Sequence, residues 1–229
     1  MTGSQYVDYL ERIKNEGKLP ISFDTAMVKA ILEGRKTQTR RVEKPSLSES
    51  VNRVIMEHGT RGSVRAMFMA NTYSLSCYRH PKYKLGDILY VQESWAEIPE
   101  KCGIYSYEAD VPQEIVGMMD IMGEPWRRPE DMPLAAARIF LQVTGIRVER
   151  LQDISNADAK AEGIRSYFLH KEHGGEWHES NGSFVGVDRT HSTRIAAFAE
   201  LWDSLYAKLG YDWGTNPWVW VYDFERINI

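Results

Sequence analysis

The run Asn216-Pro217-Trp218-Val219-Trp220-Val221-Tyr222-Asp223-Phe224 constrains this chain more than any other stretch. Its aromatic and β-branched content predicts a strand. Trp218, Trp220, Tyr222 and Phe224 alternate with Val219 and Val221, so neither face of that strand is polar, and it has to be covered on both sides. Trp218 and Trp220 are therefore expected in the core rather than as exposed stacking platforms. With 229 residues, 43% hydrophobic and 26% charged, the chain has the means to build one sizeable core around such a strand, and one decorated domain is expected.

Other elements can be placed around it. Tyr6, Val7, Leu10 and Ile13 lie on one helical face, predicting a short leading helix over 6–13. A short strand at Ile21–Asp24 precedes a helix capped by Asp24, with Met27, Val28, Ile31 and Leu32 as its apolar stripe and Gly34 as its stop. Lys36–Val42 reads as an edge or half-buried strand, and 87–95 as a firmer one after a Gly-Asp turn. Ala137–Leu151 predicts a long or bent strand. Ser155 caps a short helix that stops at Gly163, and a longer helix with Ile195, Phe198, Leu201, Trp202 and Leu205 on one stripe ends at Gly210. Strands outnumber helices and surround them, which predicts an α+β fold with a compact, mostly antiparallel barrel. Segments 43–84, 97–131 and 165–191 read as loop-rich insertions.

Charge narrows the partners. The formal net charge is -4 and the pI about 5.9, so the chain as a whole is not a nucleic-acid-coating protein, and any such role must rest on a local patch. Residues 51–84 supply one: Arg53, Arg61, Arg65, Arg79, Lys82 and Lys84 stand against Glu57 alone, with Phe68, Tyr73, Tyr78 and Tyr83 between them. That mixture suits phosphate contacts with base stacking, or equally a solvated insertion whose aromatics pack on the core. Segment 97–131 is acidic and is not expected to meet a phosphate backbone. Cys77 and Cys102 make neither a metal quartet nor a disulfide framework. His170, His173 and His178 lie among glycines and read as a polar surface loop rather than a metal site. No apolar run is long enough for a leader or a membrane span, so a soluble cytoplasmic protein is expected, without membrane partner or cofactor.

A Gly-x-Ser-x-Gly elbow and Gly-rich nucleotide loops are both absent from the sequence, which removes serine-triad, ATP and NAD readings. What remains is Glu33-Gly34-Arg35-Lys36-Thr37-Gln38-Thr39-Arg40-Arg41-Val42, where cations gather at a helix end. A neutral Lys36 base would need burial or a neighbouring cation such as Arg35 or Arg40 to lower its pKa, and Thr39 would be a nucleophile only if a base took its proton. In a regular strand Lys36 and Thr39 point to opposite faces, so they converge only if Lys36 still belongs to the turn. The alternative is a basic turn whose cations cap helix carbonyls and whose threonines pair across a sheet.

Four stretches taken in order, "AILEGRKTQTRRV", "GDILYVQESW", "VERLQDISNADAKAEGI" and "NPWVWVYDFERI", resemble the ASCH domain of the PUA-like β-barrel group, in the longer form common in phages and prophages. The resemblance implies residues 1–19 as a helical extension and 20–229 as a single ASCH domain carrying the three insertions. It also implies a cleft for RNA or nucleosides beside the Gly-x-Lys-Thr motif. By resemblance to the small bacterial amidohydrolases that deacetylate N(4)-acetylcytidine, Thr39 would attack the amide carbonyl and Lys36 would take and return its proton. Glu162 would hold the lysine or the leaving amine. Arg35, Thr37, Arg40, Arg41, Arg53 and Arg65 are the expected contacts to substrate or nucleic acid. The resemblance implies a hydrolase of a modified nucleoside or nucleotide, including amide hydrolysis of an N-acylated cytidine. It equally admits a non-catalytic RNA or DNA binding module, an ASCH-type ribonuclease or a phage assembly protein.

Overall fold

The computed structural model describes residues 17–44, 51–70, 76–97, 104–112, 126–165 and 194–229. The leading helix expected over 6–13 lies outside them, as do His170, His173, His178 and Cys102. The described elements run β1 (Lys18–Ser22), α1 (Thr25–Leu32), β2 (Gln38–Val42), β3 (Val51–His58), β4 (Val64–Ala70), β5 (Ser76–Arg79), β6 (Ile88–Gln92), β7 (Trp95–Glu97), β8 (Tyr105–Tyr107), β9 (Phe140–Arg150), α2 (Asn156–Ala161), α3 (Arg194–Tyr206) and β10 (Trp218–Ile227), with short 3-10 turns between. The class is α+β with mostly antiparallel sheets and few helices; β1 with β6 is a parallel pair. No helix among the described residues is long and apolar enough to cross a membrane.

Two compact units are built from interleaved segments, one from residues up to Leu32, Gly86–Val143 and Glu225–Ile229, the other from Glu33–Leu85 and Thr144–Phe224. In the first, β6 lies between β1 and the start of β9, and β7 pairs with β8. The Asp24 carboxylate accepts from the Met27 N–H at 2.7 Å, capping α1 as its sequence predicts. Val28, Ala30 and Ile31 form the buried side of that helix. Glu93, 1% exposed, holds the Arg138 guanidinium in a two-point fork at 2.9 Å on each oxygen, and Arg138 also lies over the Tyr107 ring.

In the second unit β10 runs between β9 and β2. Trp218 to Tyr222 are all buried, as a strand without a polar face requires. Val219 and Val221 join Leu151, Ile154, Ala159, Phe198 and Trp202 in a core that α2 and α3 cover. Leu205, expected on the buried stripe of α3, is instead 40% exposed, whereas Ala197 is buried.

Two further expectations are corrected. Segment 43–84 is not mainly loop, because β3, β4 and β5 form an antiparallel meander within it. Val64, Ala66 and Phe68 are buried on one face of β4, but Met67 and Met69 on the other face are also apolar, and a register shift at Val51/Arg53 breaks the period of β3. Both effects erase the alternation that reveals a strand. The strand expected over 87–95 ends at Gln92, and Trp95 begins a separate pairing with Tyr107.

Candidate functional site

Past α1, Gly34 takes φ +72° and lets the chain turn. Lys36 then makes an isolated antiparallel bridge with Glu162, and the Thr37 N–H donates to the Ala161 carbonyl at 2.8 Å. Glu162 is brought there by α2. Ser155 and Asp158 form a reciprocal capping box at its start, and Gly163 with φ +98° follows its end. Residues that are 126 positions apart thereby meet: Lys36 Nζ donates to Glu162 Oε2 at 2.7 Å, to the Glu162 carbonyl at 3.1 Å and to the Gln38 carbonyl at 2.9 Å. These three acceptors match the three N–H bonds of an ammonium. Lys36 is 2% exposed and Glu162 5%.

The other oxygen of Glu162 accepts from Arg40 Nη1 at 3.0 Å. Arg40 is equally buried and also donates to Gln38 Oε1 and to Glu149 Oε1, each at 2.6 Å. Arg147 extends the chain of charges to Glu149 at 2.9 Å, Asp158 at 2.7 Å and Asp223 at 3.4 Å. Gly145 makes this possible on β9, since a Cβ there would stand 2.5 Å from Asp223 Oδ2. Burial alone would push the Asp158 carboxyl up, but hydrogen bonds from the Ser155 hydroxyl and backbone N–H, then Gln38 and the Arg147 charge, outweigh it and bring it down to about 2.

A folded-state pKa below the ordinary 3.8 means that Asp158 contributes stability above about pH 4 and loses it as pH falls toward 2. Chemical denaturation between pH 5 and pH 2 should therefore show a steeper loss of stability for the native chain than for Asp158→Asn. Identical slopes would remove Asp158 from the acid response. Ser155→Ala should reproduce part of the same flattening and cost about 1 kcal/mol at neutral pH through the lost cap.

β2 separates two environments. In its register with β10, Gln38 stands opposite Asp223 and Arg40 opposite Val221, on the face that carries the ion network. Thr39 stands opposite Tyr222 and Arg41 opposite Trp220, on the other face. Thr39 is buried, at 1% exposure, and is not among the three acceptors around Lys36 Nζ. The three residues carried over by resemblance thus divide: Lys36 and Glu162 are in direct contact, and Thr39 lies on the face opposite Arg40.

The expected substrate contacts also disperse. Arg40 is sequestered in the network. Arg35 donates to Glu33 at 2.6 Å and to the Gly163 carbonyl, and Thr37 is exposed beside them. Arg53 is exposed on β3, and Arg65 pairs with Glu57 at 2.6 Å while its guanidinium lies over the Tyr78 ring. Arg41 alone of the six lines a pocket of about 380 Å³, together with Val42, Glu43, Lys44, Arg79, His80, Lys82, Tyr83, Trp220 and Tyr222.

Several of these residues are not among the expected substrate contacts. Arg79, Lys82 and Tyr83 belong to the basic, aromatic window, which was signal enough for the segment but not for the residues. Arg147 and Glu149 were readable as an i, i+2 charge pair on one strand face. Asp158 was readable as the partner of Ser155 in a capping box three residues apart. Glu43 left no trace, because its neighbours Arg79 and Trp220 come from distant strands.

Fold and site together define an α+β protein with a fully buried Lys-Glu-Arg cluster on one face of β2 and a cation-lined pocket on the other. No protein-family model, curated protein or solved structure matches the chain.

Proposed function

We propose that this chain is an ASCH-type protein of the PUA-like barrel group that hydrolyses a modified nucleoside or nucleotide, with amide hydrolysis of an N-acylated cytidine as the reaction. The contact of Lys36 with Glu162 at 2.7 Å carries the reading, because the resemblance pairs these two residues independently of the geometry. In this reaction Thr39 Oγ1 forms a bond to the acyl carbon and gives its proton to Lys36. The C–N bond then breaks as the lysine returns the proton to the cytosine amine, and water releases the acyl group from Thr39. Lys36 must accept that proton as a neutral amine and exchange the Gln38 carbonyl for the Thr39 hydroxyl one residue further on. A panel of N-acylated cytidine and deoxycytidine nucleosides, followed by chromatography, tests the reading; release of cytidine supports it.

A second reading is a non-catalytic RNA or DNA binding module of the same group. It is favoured by the full set of acceptors around Lys36 Nζ, which leaves an ammonium held in place rather than a base. Absence of turnover on every nucleoside of the panel, by a protein shown folded, moves the weight to this reading.

A further inference from the structure

We infer that β3 is a self-association edge: two copies of the chain join their β3 strands antiparallel about a two-fold axis through Ile55, so that their meanders form one continuous sheet. The inference stands apart from the hydrolase reading. β3 is an end strand of the meander, and among the described residues no strand pairs with its other edge. Such an edge presents a row of backbone N–H and C=O groups that another strand can take up. The devices that usually block an edge are missing from its centre. Val51–His58 contains no proline and no lysine. The register shift at Val51/Arg53 and the bond of 2.8 Å from Arg150 Nη2 to the Val51 carbonyl both lie at its first residues. The run 53–57 stays open.

The two faces of that run differ. Val54 and Met56 stand opposite Phe68 and Ala66, on the face whose β4 residues are buried. Arg53, Ile55 and Glu57 stand opposite Met69, Met67 and Arg65 on the other face. Ile55 is 37% exposed there, a large apolar side chain left at the sheet edge. Glu57 meets Arg65 across the strands at 2.6 Å, whereas Arg53 is exposed opposite the apolar Met69.

A second copy supplies what Arg53 lacks. A two-fold axis perpendicular to the sheet keeps each face continuous only if it passes through a residue, because a slip of one position would turn outward side chains against inward ones. Through Ile55, Arg53 falls opposite the partner's Glu57 at both ends, Ile55 opposite the partner's Ile55, and Val54 opposite the partner's Met56. Glu57 then lies between Arg65 and the partner's Arg53. No neighbouring register does this: an axis through Arg53 or Glu57 opposes like charges, and one through Val54 or Met56 sets a charge against Ile55. Opposite charges across a strand pair stabilise it and like charges destabilise it. The same patch therefore serves both copies, as a two-fold interface requires.

Sedimentation velocity of the full-length protein, from micromolar to millimolar concentration, tests this. A concentration-dependent dimer is expected, since an interface of so few residue pairs is small and weak. Arg53→Glu would oppose carboxylates and Glu57→Arg would oppose guanidiniums, so each alone should weaken the dimer about tenfold or more. Mixing those two variants in equal amounts puts opposite charges back at both ends, and a heterodimer within a few fold of native affinity should form. Circular dichroism and melting temperature show that each variant is folded. Should Glu57→Arg lose its fold through the Arg65 it would face, Ile55→Lys replaces it, placing two ammonium groups at the axis with a similar expected loss. The inference is overturned if the native chain is monomeric throughout. It is also overturned if folded Arg53→Glu, or Ile55→Lys where that variant is used, dimerises as tightly as the native chain, or if the two folded charge variants fail to associate when mixed. Mass is the only readout, so the outcome is the same whether or not any nucleoside is hydrolysed.

Discussion

Lys36→Met and Thr39→Val should each lower the release of cytidine from N-acylated cytidines by about three orders of magnitude or more. Methionine keeps the length of the lysine stem without its charge, and valine keeps the shape of threonine without its hydroxyl. Thr39→Val therefore probes chemistry while sparing packing, whereas Lys36→Met also takes a buried cation from the Glu162 carboxylate and should lower the melting temperature. A nucleophile and its proton acceptor act as a unit, so the double variant should be no slower than the worse single one. Thr39→Ser should retain part of the rate, because it keeps the attacking oxygen. The check is single-turnover deacylation at neutral pH, with circular dichroism and melting temperature recorded for each variant. Turnover unchanged in Lys36→Met, with the fold intact, would sink the amidohydrolase.

Removing the Glu162 carboxylate should cost the fold about 3–5 kcal/mol, the penalty for leaving buried charge without its partner. Glu162 Oε2 and Oε1 each serve a different cation, Lys36 at 2.7 Å and Arg40 at 3.0 Å, and both cations are 2% exposed. Arg40 would keep Glu149 at 2.6 Å, whereas Lys36 would lose its carboxylate and keep the Gln38 and Glu162 backbone carbonyls. Glu162→Ala is the direct variant. Glu162→Gln preserves one acceptor while turning the other oxygen into a donor that faces a cation, so it too should be destabilised, by less. Urea unfolding at pH 7 measures both, and the loss should change little between low and high salt because the pair is shielded from solvent. A loss for Glu162→Ala below about 1 kcal/mol would mean that Lys36 and Arg40 find other partners.

These two measurements separate roles that the cluster combines. If Glu162→Ala unfolds the chain while Lys36→Met leaves turnover intact, the cluster is architecture: it joins β2 to the end of α2. If Lys36→Met abolishes turnover in a chain still folded at the assay temperature, the same contact is part of a reaction site. The divided placement of Thr39 makes the comparison informative, because only chemistry requires Thr39 and Lys36 to meet.

Local sequence was sufficient for the pieces whose stability is local. Asp24 and Ser155 as caps, Gly34 and Gly163 as stops, and the apolar run Trp218–Tyr222 as a strand covered on both faces all follow from groups within a few positions of one another. β3 and β4 escaped because Met67 and Met69 are apolar on the less buried face and a register shift hides the period. The break between β6 and β7 was hidden for a different reason. Only Glu93 and Ser94 separate Gln92 from Trp95, too short a gap to mark a boundary, and it is the partner strand, Gln142 to Phe140 for β6 and Tyr107 to Tyr105 for β7, that divides the stretch.

The site shows the same boundary. That Lys36, Thr39, Arg40 and Arg41 crowd the turn after α1 is a property of the sequence, and so is the parity that sends Thr39 and Arg40 to opposite faces of a strand. Which of those faces receives Glu162, and which one opens onto Arg79, Lys82 and the Trp220 and Tyr222 rings, was decided by tertiary structure alone. The partners of a buried charge are chosen by the strands and helices that fold against it, and their separations along the chain, 126 residues for Lys36 and Glu162, carry no local signal.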